Sequence, residues 1–382
     1  MIKLSILCTF CHVLVLGLVF AQNEGQSNCT SPNGVVGWCI GLRQCPQLLT
    51  ILQSSPPETI EFLRQSQCGF DDNDPRVCCP IQNENADLSG GADGAKEANL
   101  QFDLSNNTLL PSDCGKDLSH DQRVVGGEHT DIDEFPWMAL LIYSTPNGET
   151  ASCGGALIST RYVLTAAHCL RSKNMPISWS LVNVRLGEYD TITNPDCVKD
   201  DANSTVCADD VITVGIEKQI AHENYNPLSP DQKYDIALLR LNRDIPFTNY
   251  VKPICLPSND AIGNNLFVAG WGKTENGFSS NIKLKVSVSL VSKQQCEQTY
   301  SIRGVTLGFG QICAGGVVDK DSCTGDSGGP LMSVEKGSDG TGRWTAVGIV
   351  SFGLTACGFP NWPVVYTRVI DFIPWILSKL EA

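Results

Sequence analysis

The chain has 382 residues, which is more than one ordinary hydrophobic core requires, so a large domain and a small one are expected. Its formal net charge of -14 argues against nucleic acid as a partner, because surfaces that bind nucleic acid are basic. The chain also contains 18 cysteines. A content this high indicates disulfides, which form in oxidising compartments outside the cytosol.

The N-terminus has the pattern of a secretory signal peptide. Lys3 precedes an apolar stretch over residues 4–20, and the small residue Ala21 follows it. Residues 1–21 are therefore predicted to be removed on export. A membrane anchor is the alternative, but the stretch is short for a span and contains His12. No other segment of the sequence has the length and apolarity of a span, so secretion without a membrane partner is expected.

Export also accounts for the cysteine count. The signal segment contains Cys8 and Cys11, so its removal leaves 16 of the 18 cysteines, an even number that predicts eight disulfides. Glycosylation sequons begin at Asn28, Asn106 and Asn203, which agrees with a secretory route.

A group of cysteines crowds into residues 28–80, a segment too small to be held by a hydrophobic core alone. Its members are Cys29, Cys39, Cys45, Cys68, Cys78 and Cys79. Six cysteines allow fifteen connectivities. Zinc is the alternative to disulfides, but the group has no histidine and no C-x-x-C pair. The polar stretch over residues 81–123 is predicted to be a linker and activation segment.

Short strands separated by turns are predicted from Arg123 onward. Apolar residues from Leu284 to Leu290 alternate with polar ones, which is the period of a half-buried strand. Similar short runs cover residues 137–143, 182–186, 236–241, 266–269 and 346–350. An all-β barrel or sandwich follows. At the C-terminus apolar residues recur at helical spacing, which predicts a helix that begins near Asp371.

Ser327 lies in the run Gly325-Asp326-Ser327-Gly328-Gly329, whose glycines let backbone N–H groups approach a reacting oxygen. The run fits the α/β-hydrolase elbow, but that fold needs a histidine after the serine and no histidine follows Ser327. It also fits the order His, Asp, Ser. His168 follows a short strand, and Asp235 precedes a strongly apolar one. Taken alone, His168 is equally well explained as a structural histidine and Asp235 as a turn residue. Together with Ser327, in the order His, Asp, Ser, they favour a serine-protease triad.

With these motifs, the region from Arg123 to Ala382 resembles the chymotrypsin-trypsin family. The resemblance implies a two-barrel protease domain over residues 124–382, with a C-terminal helix and no cofactor for the chemistry. It implies that the nucleophile is Ser327, the general base is His168 and the residue that fixes the imidazole tautomer is Asp235.

The resemblance also implies how substrate is held. The N–H groups of Gly325 and Ser327 would form the oxyanion hole, and Ser351 and Gly353 would line the strand that pairs with the substrate backbone. Asp321 lies six residues before Ser327, where trypsin-like members have the carboxylate that selects Arg or Lys.

One residue of this pocket departs from the family. Val364 stands where the family usually has glycine, so its methyl groups are expected to crowd the pocket near Asp321. Cleavage after Arg with weak activity on small substrates is therefore expected. The alternative for Asp321 is a solvated turn residue.

The run from Arg123 to Gly127 resembles the family's activation site, with Val124 in place of the commoner isoleucine. Cleavage after Arg123 would free the Val124 ammonium to pair with Asp326, so the precursor is expected to be a nearly inert zymogen. The alternative is that this peptide bond is merely an exposed linker bond.

Near the middle of the protease region, an acidic loop resembles the calcium loop of the family. Glu188 and Asp196 would supply carboxylates to a structural calcium ion, and Asp190 and Thr193 further oxygens. A solvated acidic loop is the alternative.

The N-terminal cysteine group ends in the adjacent pair Cys78-Cys79 and is followed by a polar linker and the trypsin-like region, and so resembles a clip domain. The two resemblances imply the pairs Cys29–Cys78, Cys39–Cys68, Cys45–Cys79, Cys114–Cys255, Cys153–Cys169, Cys197–Cys207, Cys296–Cys313 and Cys323–Cys357.

Clip-domain proteases are arthropod haemolymph enzymes of the cascades that activate prophenoloxidase or process the Toll ligand Spätzle. The resemblance implies an extracellular zymogen that cleaves proenzymes or pro-ligands after Arg. Its partners would be a protein substrate, an upstream trypsin-like activator, a serpin inhibitor and a docking partner of the clip domain. The alternative is a cofactor or adapter that acts mainly through its clip domain, although such proteins usually lack a triad residue and this chain has all three.

Overall fold

The structure is a computed structural model. It describes residues 27–30, 36–41, 45, 64, 66–71, 74–80, 101–105, 107–116, 128–200, 202–263, 265–273, 279–317, 326–336, 340–354 and 361–382. The predicted signal peptide at residues 1–21 and the sequon residue Asn106 lie outside these ranges. The chain divides into two compact units, Met1–Ala95 and Lys96–Ala382.

The first unit contains one small antiparallel sheet in the order β1-β2-β4-β3. Its strands are β1 Ser27–Thr30, β2 Val36–Gly41, β3 Gln67–Asp71 and β4 Asp74–Pro80. Three disulfides join Cys29 to Cys78, Cys39 to Cys68 and Cys45 to Cys79. These are the pairs that the clip-domain resemblance implies. Cys39, Cys45, Cys78 and Cys79 are buried, so disulfide sulfur atoms form part of the interior of this small unit.

One half of the second unit is a closed barrel in the order β12-β13-β8-β7-β6-β9. Its strands are β6 Met138–Thr145, β7 Gly148–Leu157, β8 Tyr162–Thr165, β9 Ser180–Leu186, β12 Ile212–Ala221 and β13 Ala237–Leu241. A separate hairpin, β10 Cys197–Lys199 and β11 Thr205–Cys207, extends from it. Every residue of β8 and β13 is buried, which explains why these strands read as continuous apolar runs.

An eight-stranded sheet in the order β16-β17-β20-β19-β18-β14-β15-β5 forms the other half of the unit. Its strands are β5 Glu128–His129, β14 Leu266–Gly270, β15 Leu284–Val288, β16 Leu290–Val291, β17 Gln311–Ala314, β18 Pro330–Lys336, β19 Gly342–Phe352 and β20 Val364–Arg368. The helices are α1 Lys293–Ser301 and α2 Ile373–Lys379. The predicted all-β, two-barrel architecture with a C-terminal helix is confirmed.

The alternation predicted from Leu284 to Leu290 holds for Val286 and Val288, which pack in or against a hydrophobic core cluster, but not for Lys285 and Leu290. Lys285 is only 8% exposed, while Leu290 is 41% exposed and lies beyond the end of β15. Lys285 is buried because it has a buried partner of opposite charge: both carboxylate oxygens of Glu134 accept from Lys285 Nζ at 2.8 Å. A charged side chain can replace an apolar one in the interior when its charge is paired in this way.

The C-terminal helix begins two residues later than predicted. A 3₁₀ turn over Val369–Phe372 contains Asp371, and α2 starts at Ile373. Pro374 lies in the first turn, where its missing N–H has no helical partner to lose. Ile373 and Ile376 bury one face of the helix.

Part of the predicted linker packs against the second unit. The Phe102 amide donates to the Ser258 carbonyl at 2.7 Å, the Gly115 amide to the Pro253 carbonyl at 2.8 Å, and Cys114 is bonded to Cys255. Phe102, Leu104, Leu109 and Leu110 pack on the core of this unit. Residues 101–116 of the predicted linker and activation segment are therefore attached to this unit by apolar side chains, backbone hydrogen bonds and a disulfide. No helix among the described residues is long and apolar enough to cross a membrane.

Candidate active site

His168 lies in a 3₁₀ turn that follows the buried strand β8. Two contacts fix this turn: Cys169 is bonded to Cys153 on β7, and its carbonyl accepts from the Tyr143 hydroxyl at 2.8 Å. The sulfur atoms of Cys153 and Cys169 and a ring nitrogen of His168 lie within 4.8 Å of one another. Because both sulfurs belong to a disulfide, this cluster offers no thiolates to a metal ion.

Asp235 lies two residues before the start of β13 and is completely buried. Its Oδ1 accepts from the His168 amide at 2.8 Å, and its Oδ2 lies 2.7 Å from His168 Nδ1. The Ser351 hydroxyl donates to Oδ2 at 2.5 Å. The preceding residue, Tyr234, has a left-handed φ of 61°, and its ring stacks on His222 at 5.0 Å. The buried carboxylate is thus held by three donors and by an uncommon backbone turn.

These contacts determine the electrostatics of His168. Burial alone would lower the pKa of His168, but the negative charge of Asp235 and its hydrogen bond outweigh that effect and raise the pKa above its usual value. In the neutral ring, Nδ1–H donates to Asp235, which leaves the lone pair of Nε2 able to accept a proton.

Ser327 lies in a turn between Asp326 and β18. The Gly154 amide donates to the Ser327 carbonyl at 2.8 Å, and the Gly328 amide donates to the Val350 carbonyl at 2.9 Å. The Cys169 sulfur lies 3.6 Å from the Ser327 carbonyl oxygen and 3.7 Å from His168 Nε2. The turn therefore meets the histidine segment at the Cys153–Cys169 disulfide. Gly325, the other predicted oxyanion donor, lies outside the described residues.

Gly328 cannot be replaced by a larger residue in this backbone. Its φ is +80°, and a Cβ there would lie 2.3 Å from Thr165 Oγ1 and 2.6 Å from the Gly154 carbonyl oxygen. The close approach brings the serine turn against β7 and β8, which belong to the barrel. The glycine after Ser327 is thus required by packing as well as by backbone conformation.

Of the predicted specificity residues, Ser351 lies on β19, Gly353 follows that strand, and Val364 begins β20. Ser351 is buried, and its hydroxyl is engaged with Asp235. Val364 is also buried, and its Cγ2 would lie 3.0 Å from a Cβ built on Gly353. Val364 therefore occupies the space beside Gly353, while Asp321 lies outside the described residues.

The Asp326 side chain rests on two glycines that flank Trp271. The Gly272 amide donates to Asp326 Oδ1 at 2.9 Å. A Cβ on Gly270 or Gly272 would lie 2.2 Å or 2.6 Å from that oxygen, so only glycine fits at either position. Arg123 and Val124 lie outside the described residues.

Within the acidic loop, most of the predicted calcium donors have protein partners. Asp196 Oδ2 accepts from the Tyr189 and Asp190 amides, each at 2.9 Å, and Asp196 Oδ1 accepts from the Thr193 hydroxyl at 2.6 Å. Glu188 is buried, and its Oε1 has no hydrogen-bond partner. Burial and the nearby charge of Asp196 raise the pKa of Glu188. The orphaned oxygen beside a second carboxylate fits a bound cation, whereas the Thr193 hydroxyl is already a donor to Asp196.

The adjoining hairpin carries the remaining sequence features of this region. Cys197 is bonded to Cys207 directly across the strand pair β10–β11. Asn203 is exposed at the turn with a left-handed φ of 62°. A further disulfide joins Cys296 to Cys313, while Cys323 and Cys357 lie outside the described residues.

Comparison with known proteins decides the family. A trypsin family model matches residues 124–376, and the model of the regulatory CLIP domain of proteinases matches residues 29–79. The chain belongs to the trypsin family. It is a serine endopeptidase with an N-terminal clip domain.

Relatives match this clip-domain protease over nearly its whole length. CLIP domain-containing serine protease HP8 of Bombyx mori is 44% identical over 357 residues, which are 90% of this chain and 91% of that protein. Phenoloxidase-activating factor 1 of Holotrichia diomphalia is 41% identical over 363 residues, 94% of each chain. The crystal structure of the Drosophila Grass clip serine protease of the Toll pathway matches with a TM-score of 0.63 and 35% identity, covering 92% of this chain and 97% of that one.

Two hydrogen bonds to Asp235 were not predicted from sequence. The hydroxyl of Ser351 contacts Asp235 across 116 residues, although Ser351 was predicted only as part of the substrate strand. The hydroxyl of Thr367 donates to the Asp235 carbonyl at 2.7 Å. Both lie on strands of the sheet, so no local motif around Asp235 signals them.

Proposed function

We propose that this clip-domain protease cleaves protein substrates after Arg, with Ser327 as nucleophile, His168 as general base and Asp235 as the residue that orients the imidazole. The observation that carries the proposal is the buried Asp235 carboxylate, which accepts from the His168 amide and lies 2.7 Å from Nδ1. This arrangement directs Nε2 away from Asp235, and the Cys169 sulfur that lies 3.7 Å from Nε2 also lies 3.6 Å from the Ser327 carbonyl oxygen.

The proposed reaction begins when Nε2 takes the Ser327 proton as Oγ attacks the scissile carbonyl. The oxyanion that forms would be stabilised by the amides of Ser327 and Gly325. The proton then passes from His168 to the leaving amine, and water hydrolyses the acyl-enzyme by the reverse route. Because the base must be neutral, activity is lost as the pH falls through the raised pKa of His168.

The test uses the full chain after cleavage at Arg123 by a trypsin-like protease. The activated enzyme should hydrolyse an Arg amide, and Ser327→Ala should not. A preference for aromatic or small residues in a substrate library would contradict selection by Asp321 of an Arg side chain.

We propose further that the secreted protein is a zymogen activated by cleavage after Arg123. The tight packing of Asp326 against Gly270 and Gly272 supports a fixed position for the carboxylate that the Val124 ammonium would meet. Arg123→Gln should prevent activation, and amidase activity in that variant would overturn the mechanism. Because Cys114 is bonded to Cys255, the cut N-terminal chain should separate on reducing gels only.

The relatives favour an extracellular cascade in haemolymph as its setting. One relative is named for phenoloxidase activation and one solved structure for the Toll pathway. We infer that the substrate is a proenzyme or pro-ligand of melanisation or Toll signalling, that an upstream trypsin-like protease activates the chain, and that a serpin inhibits it. The clip domain would dock a partner, and deletion of residues 22–113 would separate docking from peptide hydrolysis.

A structural calcium ion at the acidic loop is the final part of the proposal. Glu188 would bind it through the oxygen that lacks a partner, and Asp196 would contribute charge. The ion would stabilise the loop and take no part in peptide hydrolysis. Calcium should raise the melting temperature of the wild type and not of Glu188→Gln; equal melting curves with calcium and with chelator would exclude the site.

A further inference from the structure

The segment that follows the proposed general base has an unusual surface. Residues 171–179, called here the 171–179 loop, contain the cations Arg171 and Lys173 and no carboxylate. Ile177 in this loop is 104% exposed, and Leu228 on a neighbouring loop is 73% exposed. A fully exposed isoleucine gains nothing from folding, because its apolar surface stays in water. Apolar surface next to unpaired charge is typical of recognition sites.

The exposure of Ile177 does not come from a loosely attached loop. Met175 and Trp179 pack against the hydrophobic core, and the Trp179 ring lies 6.1 Å from that of Tyr143. The Met175 amide donates to the Ser172 carbonyl at 3.1 Å, and the Trp179 amide to the Pro176 carbonyl at 2.9 Å. The loop is thus anchored on its inner side, and it holds Ile177 outward in a fixed position. A preformed surface of this kind binds without the cost of ordering a loop.

An open depression of about 240 Å³ lies on this surface, lined by residues of the 171–179 loop and by Pro227. Its lining combines the two cations with apolar side chains, among them Met175, Ile177 and Trp179. A ligand that has a carboxylate next to an aliphatic side chain matches this lining, because the carboxylate can contact the cations and the aliphatic group the apolar side chains.

The positive charge of the loop has no counterion among the described residues. Neither Arg171 nor Lys173 forms an ion pair in the part of the chain that the structure describes. By contrast, the surface cations Lys218 and Lys379 each contact a glutamate. In a chain of net charge -14, an unpaired basic rim three residues after His168 favours an acidic partner at the site where substrate must bind.

We propose that the 171–179 loop binds an acidic and apolar segment of the protein substrate next to the cleaved bond, with Arg171 and Lys173 contacting a carboxylate and Ile177 an aliphatic side chain. This inference rests on the proposed function, because it assumes that substrate reaches His168. It explains how an enzyme with a crowded primary pocket selects among proteins: contacts outside the pocket contribute to recognition of the transition state.

The test measures selectivity as a ratio within each variant. The substrates are twelve-residue peptides with a quenched fluorophore and a single Arg, at which the enzyme cleaves. In separate peptides a Glu-Leu, Lys-Leu or Glu-Ser pair occupies each position that flanks the cleaved bond. The wild type should cleave the best Glu-Leu peptide at least about tenfold faster, in kcat/KM, than its Lys-Leu counterpart, and this ratio should fall as salt rises. Arg171→Glu combined with Lys173→Glu should reverse the ratio, and Ile177→Ser should reduce the preference for Leu over Ser.

The matched control is Lys336→Glu combined with Val334→Ser, since both residues are exposed on β18. The control should keep the wild-type ratios. An unchanged Glu-to-Lys ratio in the charge-reversed variant, or a wild type without any preference, would overturn the inference. Failure of the wild type to cleave a simple tripeptide Arg amide would instead overturn the proposed function. If the charge-reversed variant does not fold, a salt-independent ratio in the wild type still refutes the inference.

Discussion

The buried pair of Glu134 and Lys285 offers a quantitative test of the fold. Both residues are less than a tenth exposed, and Lys285 Nζ contacts both carboxylate oxygens at 2.8 Å. The Asp131 amide also donates to this carboxylate at 3.0 Å. The pair joins residues 128–134 to β15, which pairs with β5.

Removal of one partner leaves the other charge buried without its counterion. Glu134→Gln or Lys285→Met should therefore lower the free energy of unfolding by about 3 to 5 kcal/mol. For a domain of this size, that corresponds to a fall in melting temperature of roughly 6 to 20 °C. The double variant, Glu134→Leu with Lys285→Met, removes both charges, so it should lose less than the sum of the two single changes.

Thermal unfolding followed by tryptophan fluorescence measures these differences. The control is the exposed pair of Lys293 and Glu297, whose nearest charged atoms are 4.0 Å apart. Lys293→Met should cost less than about 1 kcal/mol, because exposed pairs contribute little. Two results would refute the reasoning. One is that the single variants of the buried pair lose as little stability as this control, and the other is that the double variant loses the full sum of the two single losses.

Three other substitutions test the site and its surroundings. Val364→Gly should raise kcat/KM for short Arg amides several-fold, because it removes the methyl group beside Gly353; unchanged or lower turnover would contradict crowding. Gly328→Ala should abolish peptide hydrolysis in a folded, cleavable protein, because its Cβ would lie 2.3 Å from Thr165 Oγ1. Burial raises the pKa of Glu335 to about 7, so the folded carboxyl keeps its proton when the unfolded one has lost it, and stability declines between about pH 4.5 and 7. Glu335→Gln should therefore raise the melting temperature at pH 8 and leave it nearly unchanged at pH 4.

Local motifs are what made the fold and the family predictable from sequence. The apolar run from Ile236 to Leu241 corresponds to β13, whose five residues are all buried. The adjacent cysteines Cys78 and Cys79, together with the glycines around Ser327, are features of consecutive residues, which a single sequence displays directly.

Contacts between distant segments were not predictable in the same way. Lys285 was placed on the solvent face because the alternation around it is regular, and its buried partner lies 151 residues away. Ser351 contacts Asp235 across 116 residues. The packing of Phe102 on the protease unit likewise depends on an acceptor, the Ser258 carbonyl, that the sequence gives no means of pairing with it. In each case the sequence shows a side chain or backbone group that needs a partner, but the tertiary fold determines which residue that partner is.

The site lies where the barrel meets the eight-stranded sheet, and this position explains why so many of its polar contacts join the two. His168 and Asp235 lie next to barrel strands, whereas Ser327 lies in the turn before β18 and Ser351 lies on β19 of the sheet. The Gly154 amide reaches the Ser327 carbonyl, and the Ser351 hydroxyl reaches Asp235. A relative shift of the two halves would lengthen both contacts together, and small misplacement of reacting groups is costly in catalysis. The cross-contacts therefore couple the packing of the fold to the geometry of the reacting groups, so that a substitution can reduce activity while leaving each half folded.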